Sequence, residues 1–239
     1  MPLQSPDLEL SQIVGELAPA SIADVISKMQ AIDSLLPAND GLKWFNRLYL
    51  MVTLQVDQRP LGGWKSSSWL LRLDVEFARL YFNAVEAYLM QKDVPSAWGA
   101  LFDVRHLTGI DRIQFALAGM NAHINHDLAL ALLATDEALS VTPDLNSPEH
   151  TDYLAVNGLL NSLMPSVLSM LASDALGVIA QDSGKVGRLL AFWNICEARN
   201  LAWEFADHLR ILPGPARDVA VGAQDKLTGA LGRAILSTA

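Results

Sequence analysis

Residues 111–137 read "DRIQFALAGMNAHINHDLALALLATDE", and the fold turns on this stretch. It contains no proline, and its apolar residues recur three and four apart rather than alternating. That spacing is helical, and the run is too long for a single strand. The same pattern continues on both sides of it. Upstream, helices are expected over 21–35, with Ser21 as cap and Pro37 as stop, then over 41–57 and 69–91, with a short one from Pro95-Ser96 to residue 107. Downstream, helices are expected over 151–177, kinked at Pro165, over 185–211, stopped by Pro213-Gly214-Pro215, and over 216–236. Residues 58–68 and 141–150, rich in Gly, Pro, Ser and Asn, read as loops. The expectation is an all-α protein, one domain over residues 1–239, built as a bundle of seven to eight helices. Its first residues, before Ser21, are expected to be loose, and 216–236 to be a docking helix that covers the bundle or a partner chain.

Composition narrows the function classes. Apolar residues make up 51% of the 239, enough for a sizeable core. The 17 basic residues against 26 acidic ones give a net charge of −9, and no basic run tracks a phosphate backbone. Nucleic acid and anionic membrane surfaces are therefore not expected partners. The opening residues carry no signal-peptide pattern, and no long uninterrupted apolar run reads as a membrane span. Cys196 is the single cysteine, which excludes an intrachain disulfide and points to the cytoplasm.

The polar residues of the central helix are unevenly placed. At about 100° per residue, His126 lies about 60° to one side of His123 and Asp127 about 40° to the other. That arc is shared by Phe115, Ala116, Gly119, Leu130 and Leu133, whereas Gln114, Asn121, Asn125 and Asp136 occupy the opposite one. His123, His126 and Asp127 should thus point into the bundle, with Gly119 leaving space beside the imidazole. On 69–91, Asp74 shares an apolar arc with Phe77, Tyr81 and Val85. On 185–211, Arg199 shares one with Cys196 and Trp203. An inward Arg needs an acidic partner or a ligand, and Asp74 and Asp127 are the natural candidates. Asn157 lies on the preceding helix, 151–177, with Tyr153 and Asn161. Three helices are therefore expected to send polar groups into one interior, and such conflicts with apolar patterning mark functional or strained places.

The segments "LDVEFARLYF" (73–82), "GMNAHINHDL" (119–128), "HTDYLAVN" (150–157) and "EARNLAWEFADHL" (197–209) resemble an uncharacterised bacterial domain-of-unknown-function family. The resemblance spans roughly residues 40–210 and is carried most specifically by Asn-Ala-His-Ile-Asn followed by Asp-Leu. It implies an all-helical bacterial protein and brings no known reaction. In that family the position of His126 is often another residue, so the resemblance favours His123 and Asp127.

Three chemistries fit these residues. An imidazole oriented by a carboxylate is a proton shuttle near neutral pH. His123 would be the acid–base group, Asp127 and Asp74 its orienting carboxylates and His126 a further catalytic candidate. Arg199, Tyr81, Trp203, Asn157 and Gly119 would line the substrate site, for an apolar or partly anionic small molecule undergoing isomerisation, cyclisation, elimination or hydrolysis. Alternatively, His123 and Asp127 at i,i+4, joined by His126, would hold a divalent metal in a hydrolase or oxygenase. The chain has no H-E-x-x-H, no nucleophile elbow and no P-loop or dinucleotide glycine pattern. The third reading is a non-catalytic protein that binds an apolar metabolite or a partner, its buried polar groups tying helices together.

Overall fold

The computed structural model describes residues 5–172 and 194–237. Among them are α1 (Ser5–Gly15), α2 (Ile22–Leu35), α3 (Gly41–Gln58), α4 (Ser67–Leu89) and α5 (Ser96–Phe102). There follow α6 (Arg112–Ala122), a π-helical turn (His123–Asp127), α7 (Leu128–Leu139), α8 (Pro148–Ala172), α9 (Ile195–Ile211) and α10 (Gly214–Leu236). No strand occurs among the described residues. Because the π turn joins α6 to α7 without a break, these form nine helical rods, one more than the sequence suggested. The extra one is α1: the segment expected to be loose folds as a helix that buries Leu10 and Val14. The expected helix over 185–211 is described from Ile195 onward, and its residues 185–193 lie outside the described residues, as do 173–177 of the preceding one.

Local chemistry sets most boundaries. Ser21 and Asp24 form a reciprocal capping box on α2, and Asp40 accepts the Leu42 N–H at the start of α3. Asp152 of α8 accepts the N–H groups of Lys65 and Ser66 ahead of α4, so a side chain distant in sequence closes that end. Pro165 lies within α8 on its exposed side, and the helix continues through it.

The α6–α7 rod is the axis of the bundle, with every residue from Ile113 to Ile124 buried. Phe115 fills the space over Gly41, Phe45 the space over Gly119, and Tyr49 packs on His123, so α3 and α6 run side by side in the same direction. On α4, Trp69 donates to Asp136 while Phe77 stacks on His123, so α4 runs antiparallel to the rod. The rod's other face, with Gln114 and Asn121, is covered by α10: Gln114 donates to the Ile235 carbonyl and Asn121 to that of Thr228. The C-terminal helix thus docks on this chain's own bundle.

Arg105 is a buried cation that the helical pattern of the sequence does not mark. It is 1% exposed and paired with Asp40 and Asp7. In α8, the segment Pro148–Leu171, of hydropathy 1.4, is long and apolar enough to cross a membrane by length and composition. Its exposed side carries Asn161, Ser162, Ser166 and Ser169, which suits water better than lipid.

Candidate functional site

The π turn coincides with "HINHD". The N–H of Leu128 donates to the carbonyl of His123, five residues back, which widens the helix by one residue at this point. Asp127 then lies within reach of both imidazoles. His123 Nδ1 is 3.0 Å from Asp127 Oδ2 and His126 Nδ1 is 2.8 Å from Oδ1. Trp98 of α5 donates its Nε1–H to Oδ2 at 2.9 Å. A carboxylate only accepts, so both Nδ1 atoms carry protons. Neutral His123 therefore presents a bare lone pair at Nε2, and that atom is buried with no hydrogen-bond partner.

An aromatic box surrounds the His123 ring. Phe77 stacks on its face at 3.4 Å between centroids, Tyr49 meets it edge-on at 4.5 Å, and Phe45 and Tyr81 close the sides. Tyr81 is tied down by its hydroxyl, which donates to Asn46, and by stacking on Trp98. Gly119 does not leave a space beside the imidazole, as the sequence suggested. The Phe45 ring occupies that space, and a Cβ there would overlap it.

Burial and pairing divide the ionisation states. Burial dominates at His123 and lowers its pKa below the ordinary imidazole value, against the pull of Asp127. Burial also opposes charge on His126, but Asp127 and Asp225 together outweigh it and its pKa rises. At Asp127 burial is again the largest effect, yet the two histidines overcome it and hold the carboxyl below its usual range. The surroundings therefore disfavour charge on His123 and favour it on His126 and Asp127.

Asp74 lies one turn before Phe77 on α4, with its Oδ2 buried and unpartnered. Burial pushes its pKa up to about 7, with the Arg199 charge pulling down and Asp57 pushing further up. Its charge also helps raise the pKa of Tyr49, behind the larger effect of burial. Asp74, Tyr49, Arg199 and the π turn thus share one electrostatic neighbourhood. The predicted direct pairing of Arg199 with Asp74 or Asp127 does not form. Arg199 donates to Asn157 Oδ1 at 2.8 Å and to the Tyr153 carbonyl at 2.9 Å, and its guanidinium lies 4.2 Å over the Tyr153 ring. Asp127 is already filled by three closer donors. Arg199 and Asn157 therefore clamp α9 to α8, and Trp203 packs beside them on Tyr153, His150 and Trp69, its Nε1 unpartnered.

The metal arrangement fares differently. His123 and His126 each direct Nδ1 at a different oxygen of Asp127, so these three donors do not converge on one point. Among the described residues, no group of three His, Cys, Asp or Glu side chains is placed to hold a metal ion. An apolar void of about 30 Å³ lies between α3, α6, α8 and α9, lined by Leu48, Met120, Leu160 and Ile195 among others. That is room for about one water and far below a substrate-sized chamber.

Trp98, Phe77, Tyr49 and Asp225 belong to this site and were not singled out from sequence. The only signal was the spacing of Gly41, Phe45 and Tyr49 at four residues, matching Phe115, Gly119 and His123 on the neighbouring helix.

No curated protein and no solved structure matches this chain. The family described as "Family of unknown function (DUF5995)" matches residues 22–238, which span every element of the site, and the chain belongs to that family.

Proposed function

We propose that this protein is an acid–base enzyme acting on a small organic molecule with a large apolar part, and that Nε2 of His123 is the proton acceptor. The observation that carries this reading is the lone pair at Nε2: it is sealed from water, unpartnered, and fixed in its tautomer by Asp127. Asp74 supports it. With a pKa near 7 it holds a proton to give at neutral pH, while His123 is neutral and ready to take one. Two groups pushed in opposite directions are the usual arrangement of an acid and a base. A C–H bond of the substrate would break with its proton passing to Nε2, and Asp74 would return one elsewhere, giving an isomerisation or elimination. Arg199 acts here by tuning Asp74, and Tyr81, Trp203 and Asn157 form the surrounding walls. Because His123 is 1% exposed, substrate entry requires helices to part. α8 lines the apolar void with Leu160, Leu163, Met164, Val167 and Leu171. The proposed setting is the bacterial cytoplasm, in secondary metabolism, with an apolar or partly anionic metabolite as ligand and neither nucleic acid nor membrane as partner.

The test is solvent deuterium incorporation. A panel of apolar enolisable ketones and unsaturated acids is incubated with the protein in D₂O and followed by proton NMR. Loss of a C–H signal with wild type and its persistence with folded His123→Gln is the expected result. Equal exchange in both proteins, or none with any compound, sinks the proposal. A second reading, a non-catalytic binding protein, is favoured by the Phe77 stack, which leaves no room for a ligand on that face of His123. It predicts that apolar compounds bind without exchange and that His123→Gln leaves their affinity unchanged.

A further inference from the structure

We propose that His126, set between Asp127 and Asp225, is a pH-sensitive latch that holds the first half of α10 down over the π turn. The geometry places one imidazole between carboxylates of two separate helices. Nδ1 is bonded to Asp127 Oδ1 at 2.8 Å, and Nε2 lies 3.8 Å from Asp225 Oδ1. Asp225 also accepts the N–H groups of Ser96 and Ala97, both at 2.9 Å, so the residue facing His126 closes the start of α5 as well. Movement of Asp225 therefore disturbs two contacts at once.

The packing of α10 makes this latch matter. Its large buried apolar side chains are Ile235 and Leu236, both at the C-terminal end. Thr228, Gly229 and Gly232 bury little side-chain surface, and no residue from Gly214 to Leu227 is buried. In that first half only Ala220 and Val221 pack against the core, both partly buried, and the other contacts are polar: Arg217 donates to the Leu209 carbonyl, Gln224 to the Asn125 carbonyl, and Asp225 makes the bonds just described. With little hydrophobic burial to hold it, its docking follows the charge at its centre.

The charges acting on His126 are Asp127 from its own turn and Asp225 from α10. The neutral Trp98 of α5 donates to the same Asp127 that His126 shares, and the neighbouring His123 is held neutral. The sign follows from linkage. Asp127 acts on His126 from its own turn, so the part of the rise that depends on docking is the Asp225 charge, 3.8 Å from Nε2. That part stabilises the docked state below the ordinary histidine value and is lost as pH rises through the raised one. Acid closes α10 onto the turn, and alkali leaves Asp127 and Asp225 with no cation between them. This holds whether or not His123 is catalytic.

The experiment is amide hydrogen exchange of the full chain at pH 6 and pH 8.5, corrected for intrinsic rates, beside an NMR titration of the His126 ring. Protection in the first half of α10 is expected to fall severalfold on going to pH 8.5, while α3 stays unchanged. The midpoint must match the His126 titration. His126→Gln and Asp225→Asn should each lower protection at pH 6 and abolish the step. Equal protection at both pH values, a midpoint apart from that of His126, or a step that survives in either variant overturns the latch.

Discussion

Replacing Asp127 tests the core of the site directly. In Asp127→Ala, the N–H groups of His123, His126 and Trp98 lose their shared acceptor in a place where Asp127 itself is 2% exposed. An unsatisfied buried donor costs about 1–3 kcal/mol, so three cost about 3–9 kcal/mol before any water enters the hole. That is a large part of the roughly 5–15 kcal/mol that holds a domain together. Asp127→Asn keeps an oxygen for His123 and Trp98, and His126 can move its proton to Nε2 to accept from the new amide. Its cost is the lost charge assistance, about 1.5–3 kcal/mol. At about 2–4 °C per kcal/mol for a chain of this size, Tm should fall by about 6–36 °C for Ala and about 3–12 °C for Asn. Thermal unfolding followed by circular dichroism at pH 7 reads both. Since the Asp127 pKa is depressed in the fold, its contribution exists above the ordinary carboxylate value and is lost as pH falls through the depressed one. The gap between wild type and Asp127→Asn must therefore narrow in acid. Equal losses for Ala and Asn, or a loss of under 2 °C for Ala, would refute the idea that this carboxylate carries three donors.

Two further outcomes follow from the packing. Gly119→Ala gains about 1 kcal/mol of helix propensity but drives a methyl group into Phe45, at about 1–3 kcal/mol. The urea midpoint should drop with an unchanged m-value, and a rise would mean the Phe45 ring does not lie there. Asp74→Asn should behave oppositely. The Asp74 pKa is raised to about 7, so its ionisation weakens the fold progressively as pH climbs from the ordinary carboxylate value to 7. The variant should match wild type at pH 4 and melt several degrees higher at pH 8; equal melting at both pH values removes Asp74 from the buried set.

Helix placement was largely legible in the sequence because it depends on local causes. Capping by Ser21, the stop at Pro37, the loop before α4 and the break at Pro213 are all encoded within a few residues. α1 was missed because its stability comes from burying Leu10 and Val14 against the bundle, and no local signal announces that. The inward direction of His123, His126 and Asp127 was also readable, since about 100° per residue holds well enough over five residues.

Partners were not readable. Arg199 needed a counterpart, and the nearest in the fold turned out to be Asn157 and the Tyr153 carbonyl, which periodicity on α9 cannot name. The space beside Gly119 went to Phe45 because α3 runs alongside α6 in matched steps, a relation between helices far apart in the chain. Nothing in "HINHD" announces a π turn, since the extra residue is tolerated only where tertiary contacts compensate for the altered hydrogen bonding. Here Trp98 on Asp127 and Phe77 on His123 do so.

The sequence by itself determined that this is an all-helical protein whose central rod turns two histidines and a carboxylate away from water, because periodicity and capping are properties of neighbouring residues. The tertiary structure decided that the carboxylate is shared, that His123 Nε2 is left bare and that a C-terminal helix closes over His126. Those depend on which distant side chains the packing of whole helices brings within 3 to 4 Å.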